Sequence, residues 1–135
     1  MRSSLLLAFA AAMLPLTVSH AAPRLTPEAE LARVLKGRTA GSPVDCISLR
    51  RVRSSRIIDD TAIVYDAGGT IYVNRPRAGA ESLDRWDTLV TKLYSDRLCS
   101  IDTVRLYDST SRMETGFVFL GEFVPYRRDE AGRGD

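Results

Sequence analysis

The sequence is poor in the residues that carry most protein chemistry. It has one histidine, His20, which falls inside an N-terminal segment read below as a cleavable signal. Without histidine elsewhere, Ser-His-Asp and Cys-His catalysis, imidazole acid–base chemistry and most zinc sites are excluded. Lys36 and Lys92 are the only lysines, and neither stands in a Ser-x-x-Lys motif. No G-x-S-x-G, Walker loop, EF-hand pattern or internal repeat occurs. An excess of one charge is missing too. Nineteen basic and 17 acidic residues leave a formal net charge of +2, so nothing global favours a nucleic-acid or anionic-membrane partner. The reading therefore assigns no catalytic residue, no cofactor and no metal.

Long apolar runs are also lacking. Leu5 to Leu14 is unbroken, but ten residues give about 15 Å of helix, half of a bilayer core of roughly 30 Å. Arg2 precedes the run, Pro15 ends it, and Ser19-His20-Ala21 offers small residues at positions −3 and −1. This is the pattern of a secretory signal peptide over residues 1–21, cleaved after Ala21. An uncleaved anchor is the alternative that the length argues against. No cysteine near the cleavage region offers a lipidation site, and no later stretch could span a bilayer. The expectation is a periplasmic or secreted protein, not an integral membrane protein.

Cysteine is scarce, and the pair fits export. Cys46 and Cys99 are most simply a disulfide in an oxidising compartment. The bridge would close a loop of about 53 residues, worth about 4 kcal/mol by chain entropy. A reactive thiol is the alternative, with no C-x-x-C motif and no histidine to activate it.

What is present reads as a short helix followed by strands. Thr26-Pro27-Glu28 supplies a capping hydroxyl, a proline at the first helical position and an acid in the first turn. Leu31, Val34 and Leu35 make one apolar stripe, and Gly37 stops the helix after about ten residues. Residues 22–43 are thus a helix and a linker, the linker running from Gly37 to Pro43. From Cys46 the period changes to two through Ile47 and Leu49, with a bend at Arg50-Arg51. Arg56-Ile57-Ile58 is β-rich. Thr61 to Tyr65 and Thr70 to Val73 flank Asp66-Ala67-Gly68-Gly69 as a hairpin, with Tyr65 facing Tyr72. Thr88 to Tyr94, Thr103 to Tyr107 and Gly116 to Val124 are three further strands. Asn74 to Asp87 is a polar loop carrying Trp86, the only tryptophan. Residues 44–126 form the β domain and residues 127–135 a disordered tail. The fold expected is mainly β: a small barrel-like roll or sandwich of about six short antiparallel strands with one short N-terminal helix.

The stretches Pro43-Val44-Asp45-Cys46-Ile47, Ile57-Ile58-Asp59-Asp60, Gly68-Gly69-Thr70-Ile71-Tyr72-Val73-Asn74 and Leu98-Cys99 resemble the DUF6491 family of exported bacterial proteins of unknown function. The resemblance covers roughly Gly41 to Tyr126. Many relatives carry two more cysteines, near the positions of Ala78 and Val118, which this chain lacks. The resemblance implies export and a shared fold, and brings no activity, cofactor or functional residue.

Three constellations could carry function. Asp59-Asp60 is the best carboxylate pair, although aspartates in turns usually bond nearby amides. Arg50, Arg51, Arg53 and Arg56 place four arginines in seven residues, a local site for an anion or partner. They could equally be a solvated strand face paired with Asp59, Asp60 and Asp66. Trp86, between Arg85 and Asp87 in a loop, is either an interface anchor or a core plug. The terminal Arg133-Gly134-Asp135 matches a cell-adhesion tripeptide by chance.

Together these features suggest a non-catalytic binding or structural module of the bacterial envelope, recognising an envelope protein or an anionic envelope component. The alternative is a carboxylate-dependent hydrolase of an envelope carbohydrate using Asp59 or Asp60.

Overall fold

The computed structural model describes residues 21–130. Residues 1–20 of the signal segment and the tripeptide 133–135 lie outside that range. One helix, α1 (Pro27–Val34), precedes ten strands: β1 (Arg38–Ala40), β2 (Cys46–Ser48), β3 (Ser54–Ile58), β4 (Ala62–Asp66), β5 (Thr70–Asn74), β6 (Asp87–Val90), β7 (Arg97–Cys99), β8 (Thr103–Asp108), β9 (Glu114–Phe119) and β10 (Phe123–Arg128). All pairings are antiparallel. They form three open sheets, ordered β1-β10-β5-β4-β3, β2-β7 and β6-β8-β9. The fold is mainly β, as expected, and among the described residues no barrel closes.

The five-stranded sheet is covered on both faces. Its inner face contributes Ile57, Ile63, Tyr65 and Phe123 to a core completed by Ile47 and Leu98 of the β2-β7 sheet and Val104, Leu106 and Val118 of the third. Its outer face, with Ile58, Ala62, Val64, Ile71 and Val73, is packed by Leu31 of α1. Double coverage explains why Ala62 to Tyr65 reads as a continuous apolar run. Burying Leu31 is worth about 2 kcal/mol to helix docking.

Local chemistry fixes the ends of these elements. The Thr26 hydroxyl accepts from the Ala29 amide at 3.3 Å, the expected cap. In the β4–β5 hairpin the Asp66 carboxylate accepts from the Gly68 amide at 2.7 Å. Gly68 takes φ +82, and a Cβ there would also press on the Arg53 guanidinium at 3.2 Å. Tyr65 and Tyr72 are direct cross-strand partners, as the hairpin register required.

Five readings need correction. The linker contains β1, which pairs with β10 and so needed a partner 86 to 90 residues distant to become visible. The tail is not loose from residue 127: β10 runs to Arg128, and the Asp129 amide bonds the Gly37 carbonyl. Thr88 to Tyr94 is strand only to Val90. Gly116 to Val124 is two strands, broken at Leu120-Gly121-Glu122. Arg97–Cys99 is a strand although three residues show no period. The total of ten strands, against about six expected, follows from these short ladders.

Candidate functional site

The β3–β4 turn organises the most featured surface. Asp60 takes φ 52, a conformation that aspartate tolerates better than most residues. This aims the preceding Asp59 at the loop before β6. Asp59 Oδ1 accepts from the Arg85 amide and Oδ2 from Arg85 Nε, both at 2.7 Å. Arg85 Nη2 also reaches Glu30 Oε2 of α1 at 3.0 Å. One guanidinium therefore ties together the helix, the β3–β4 turn and the Trp86 loop, and Asp59 and Glu30 hold Arg85 firmly in its charged form. Trp86 follows, its amide donating to Asp84 Oδ1 at 2.8 Å and its carbonyl accepting from the Ser109 hydroxyl at 3.2 Å. With its backbone fixed at both ends, the side chain is still 75% exposed. Trp86 is not a core plug.

A groove of about 900 Å³ runs beside this knot, between α1, β3 and Trp86. Arg24, Arg33 and Arg56 line it with Trp86, and none has a carboxylate partner among the described residues. The acids on the same walls are already engaged: Asp59 and Glu30 by Arg85, and Asp84 by the Trp86 amide. The groove therefore offers three uncommitted guanidinium donors and one exposed indole. Such a set recognises a carboxylate or phosphate beside an apolar or ring-shaped group.

The four arginines of the sequence motif are not one strand face. Arg50 and Arg51 lie in the turn after β2, and Arg50 pairs with Asp96 at 3.1 Å. Arg53 precedes β3 and lies against Gly68. Arg56, within β3, is the only member of the motif lining the groove. None of the four pairs with Asp59, Asp60 or Asp66. Arg24, Arg33 and Arg85 were missed because they lie far from Arg56 in sequence, and only the packing of α1 on β3 unites them. The juxtaposition of Arg85 and Trp86 was the one local signal.

On the other side of Trp86 a second cleft, about 620 Å³, is lined by acids, among them Asp60, Glu81, Asp87 and Asp108. Asp108 accepts from the Ser111 and Thr110 amides, which hold its carboxyl below the usual range, and Asp87 accepts from the Thr115 hydroxyl. The outer face of the β6-β8-β9 sheet exposes Phe117 and Phe119. There Arg77 lies over Phe119 and Arg105 over Tyr107, at 5.8 and 5.6 Å. That face supplies its own cations to its own rings, whereas no cation lies over Trp86 among the described residues.

Cys46 and Cys99 are bonded to each other, directly opposed in the β2-β7 register. No thiol is left for chemistry. No family model matches the chain, and no curated protein or solved structure matches it either.

Proposed function

We propose that this chain is an exported, non-catalytic binding module of the bacterial envelope that takes an anionic group of its partner in the α1–β3–Trp86 groove. The observation that carries the reading is the meeting of Arg24, Arg33 and Arg56, all without carboxylate partners among the described residues, beside an exposed tryptophan held by its backbone. Exposed aromatic and arginine anchors dominate recognition surfaces. The disulfide and the signal-like residues 1–21 support export; secreted protein beginning at Ala22 is the expected product.

The hydrolase alternative has less behind it. Asp59 has both oxygens committed to Arg85. Asp108, in the acidic cleft, is held ionised by amides, the opposite of what a general acid needs.

The test is capture from an envelope extract on immobilised chain. Three surfaces are compared: wild type, Arg33→Glu/Arg56→Glu/Trp86→Ala, and Arg50→Glu/Arg51→Glu. Retained material lost only on the first variant is the expected outcome. Equal retention on all three overturns the assignment of the groove, and loss only on the second moves the site to the β2 turn.

A further inference from the structure

We infer that the occupant of the groove is an extended peptide segment of a protein partner, adding as a strand along β3 and carrying one or two carboxylates for the arginines. This rests on the binding reading above and names its partner class.

The first argument is the state of the sheet edges. β3 pairs only with β4, and β6 only with β8. Residues of both strands line one cavity of about 460 Å³ that continues from Arg56, Arg85 and Trp86. Its walls include Ile57 of β3 and Leu89 of β6, both packed on the main core. Edge strands are normally blunted by brevity, proline, charged side chains, a bulge or a covering element. The other edges follow that rule. β1, β2 and β7 have three residues each. β9 is overlaid by the short turn of helix Ala80–Ser82 and bridged at Phe119 by Ala78.

Of these protections β3 has only one charged side chain, Arg56. It presents five residues, Ser54 to Ile58, without proline or lysine, and Ser54, Ser55 and Arg56 are exposed. Among the described residues, no hydrogen bond outside the β3–β4 ladder reaches the backbone of Ser54 to Ile57. An antiparallel edge strand turns alternate N–H and C=O groups away from its partner. About 17 Å of β3 is thus a template for another strand. Main-chain bonds would supply affinity, and the Ile57–Leu89 floor and Trp86 would read alternate side chains.

Charge narrows the partner class further. Four arginines and three acids line the larger groove, so its surplus is a single positive charge although three guanidiniums are uncommitted. A dense polyanion or an anionic bilayer would meet Glu30, Asp59 and Asp84 along with the arginines. A mostly neutral backbone with isolated carboxylates fits that balance, and this favours polypeptide over lipid or acidic polysaccharide.

The experiment uses the oxidised chain and four probes. These are the acetylated, amidated heptapeptide Ser-Glu-Val-Thr-Val-Glu-Ser, the same peptide N-methylated at alternate residues, its Glu→Lys version, and vesicles containing phosphatidylglycerol. Affinity is measured by Trp86 fluorescence and amide exchange by NMR. The expected result is saturable binding of the first peptide that slows exchange at Ser54 to Ile58. Methylation of the peptide amides that face β3, or the lysine changes, should each weaken it at least tenfold. Ser55→Pro in the protein should act like methylation, and the methylated peptide keeps the test valid if that variant does not fold. Equal binding of plain and methylated peptides overturns strand addition while leaving the anion groove standing. Binding of vesicles but not peptide overturns the partner class. Binding of none of the four overturns both this inference and the groove assignment.

Discussion

Among the described residues, Asn74 is the one buried polar side chain of the core. Its amide donates to the Gly121 carbonyl at 2.7 Å and accepts from the Gly121 amide at 3.0 Å. A side chain thus stands in for a neighbouring strand at the break between β9 and β10. Gly121 has no room to vary, because a Cβ there would lie 2.5 Å from the Arg75 carbonyl oxygen. Asn74→Ala leaves two backbone groups without partners and should cost about 2–3 kcal/mol, read as a lower urea midpoint with unchanged slope. Neither role was legible in the sequence. Asn74 reads as the first residue of a loop, and Gly121 falls unmarked inside the single strand read over Gly116 to Val124. What decides both is a contact spanning 47 positions. Trp86 failed in a related way: composition cannot say whether a tryptophan is buried, since the answer lies in the Asp84 and Ser109 bonds that hold its backbone at the surface.

At the scale of elements, α1 was the most legible. Its cap, proline and apolar stripe are local, and all three appear as read. Its attachment was not. Glu28 meets Arg75 through two parallel bonds, at 2.8 and 2.9 Å, and the hydrogen bond from Arg75 is the main cause that lowers the Glu28 pKa. A carboxyl whose folded pKa is lowered contributes stability above its unfolded value, roughly 4.3, and loses it as pH falls through the folded one. Acidification below about pH 4 should therefore loosen α1 before the sheets unfold. Trp86, which shares the groove with α1, reports this by fluorescence. In Glu28→Gln the acid step should vanish, with the variant's neutral-pH spectrum shifted toward the wild-type acid form. The hairpin β4–β5 was equally legible because its turn and both strands are contiguous. β1 and β7 were not, since three-residue strands exist only through their partners.

At the scale of the molecule, the choice between barrel and sandwich could not be read from period-two runs. It depends on which edges meet, and here they do not: three sheets pack on a shared core and leave β3 and β6 unjoined. The disulfide pairing was legible, because two cysteines allow one intramolecular bridge. Cys46→Ser/Cys99→Ser should cost about 2–4 kcal/mol, measured by thermal unfolding against the oxidised wild type, whose intact mass should show no alkylatable thiol.

The bridge joins positions 53 residues apart, and both β3 and β6 lie inside the ring it closes, whereas α1 lies outside. Reduction therefore removes the covalent closure of the ring that carries both strand edges and leaves the Glu28–Arg75 tether untouched. A ligand that spans those edges must then couple to the redox state of the cysteines, and the coupling is reciprocal. Whatever the ring contributes to affinity, the bound ligand returns as resistance of the bridge to reductants.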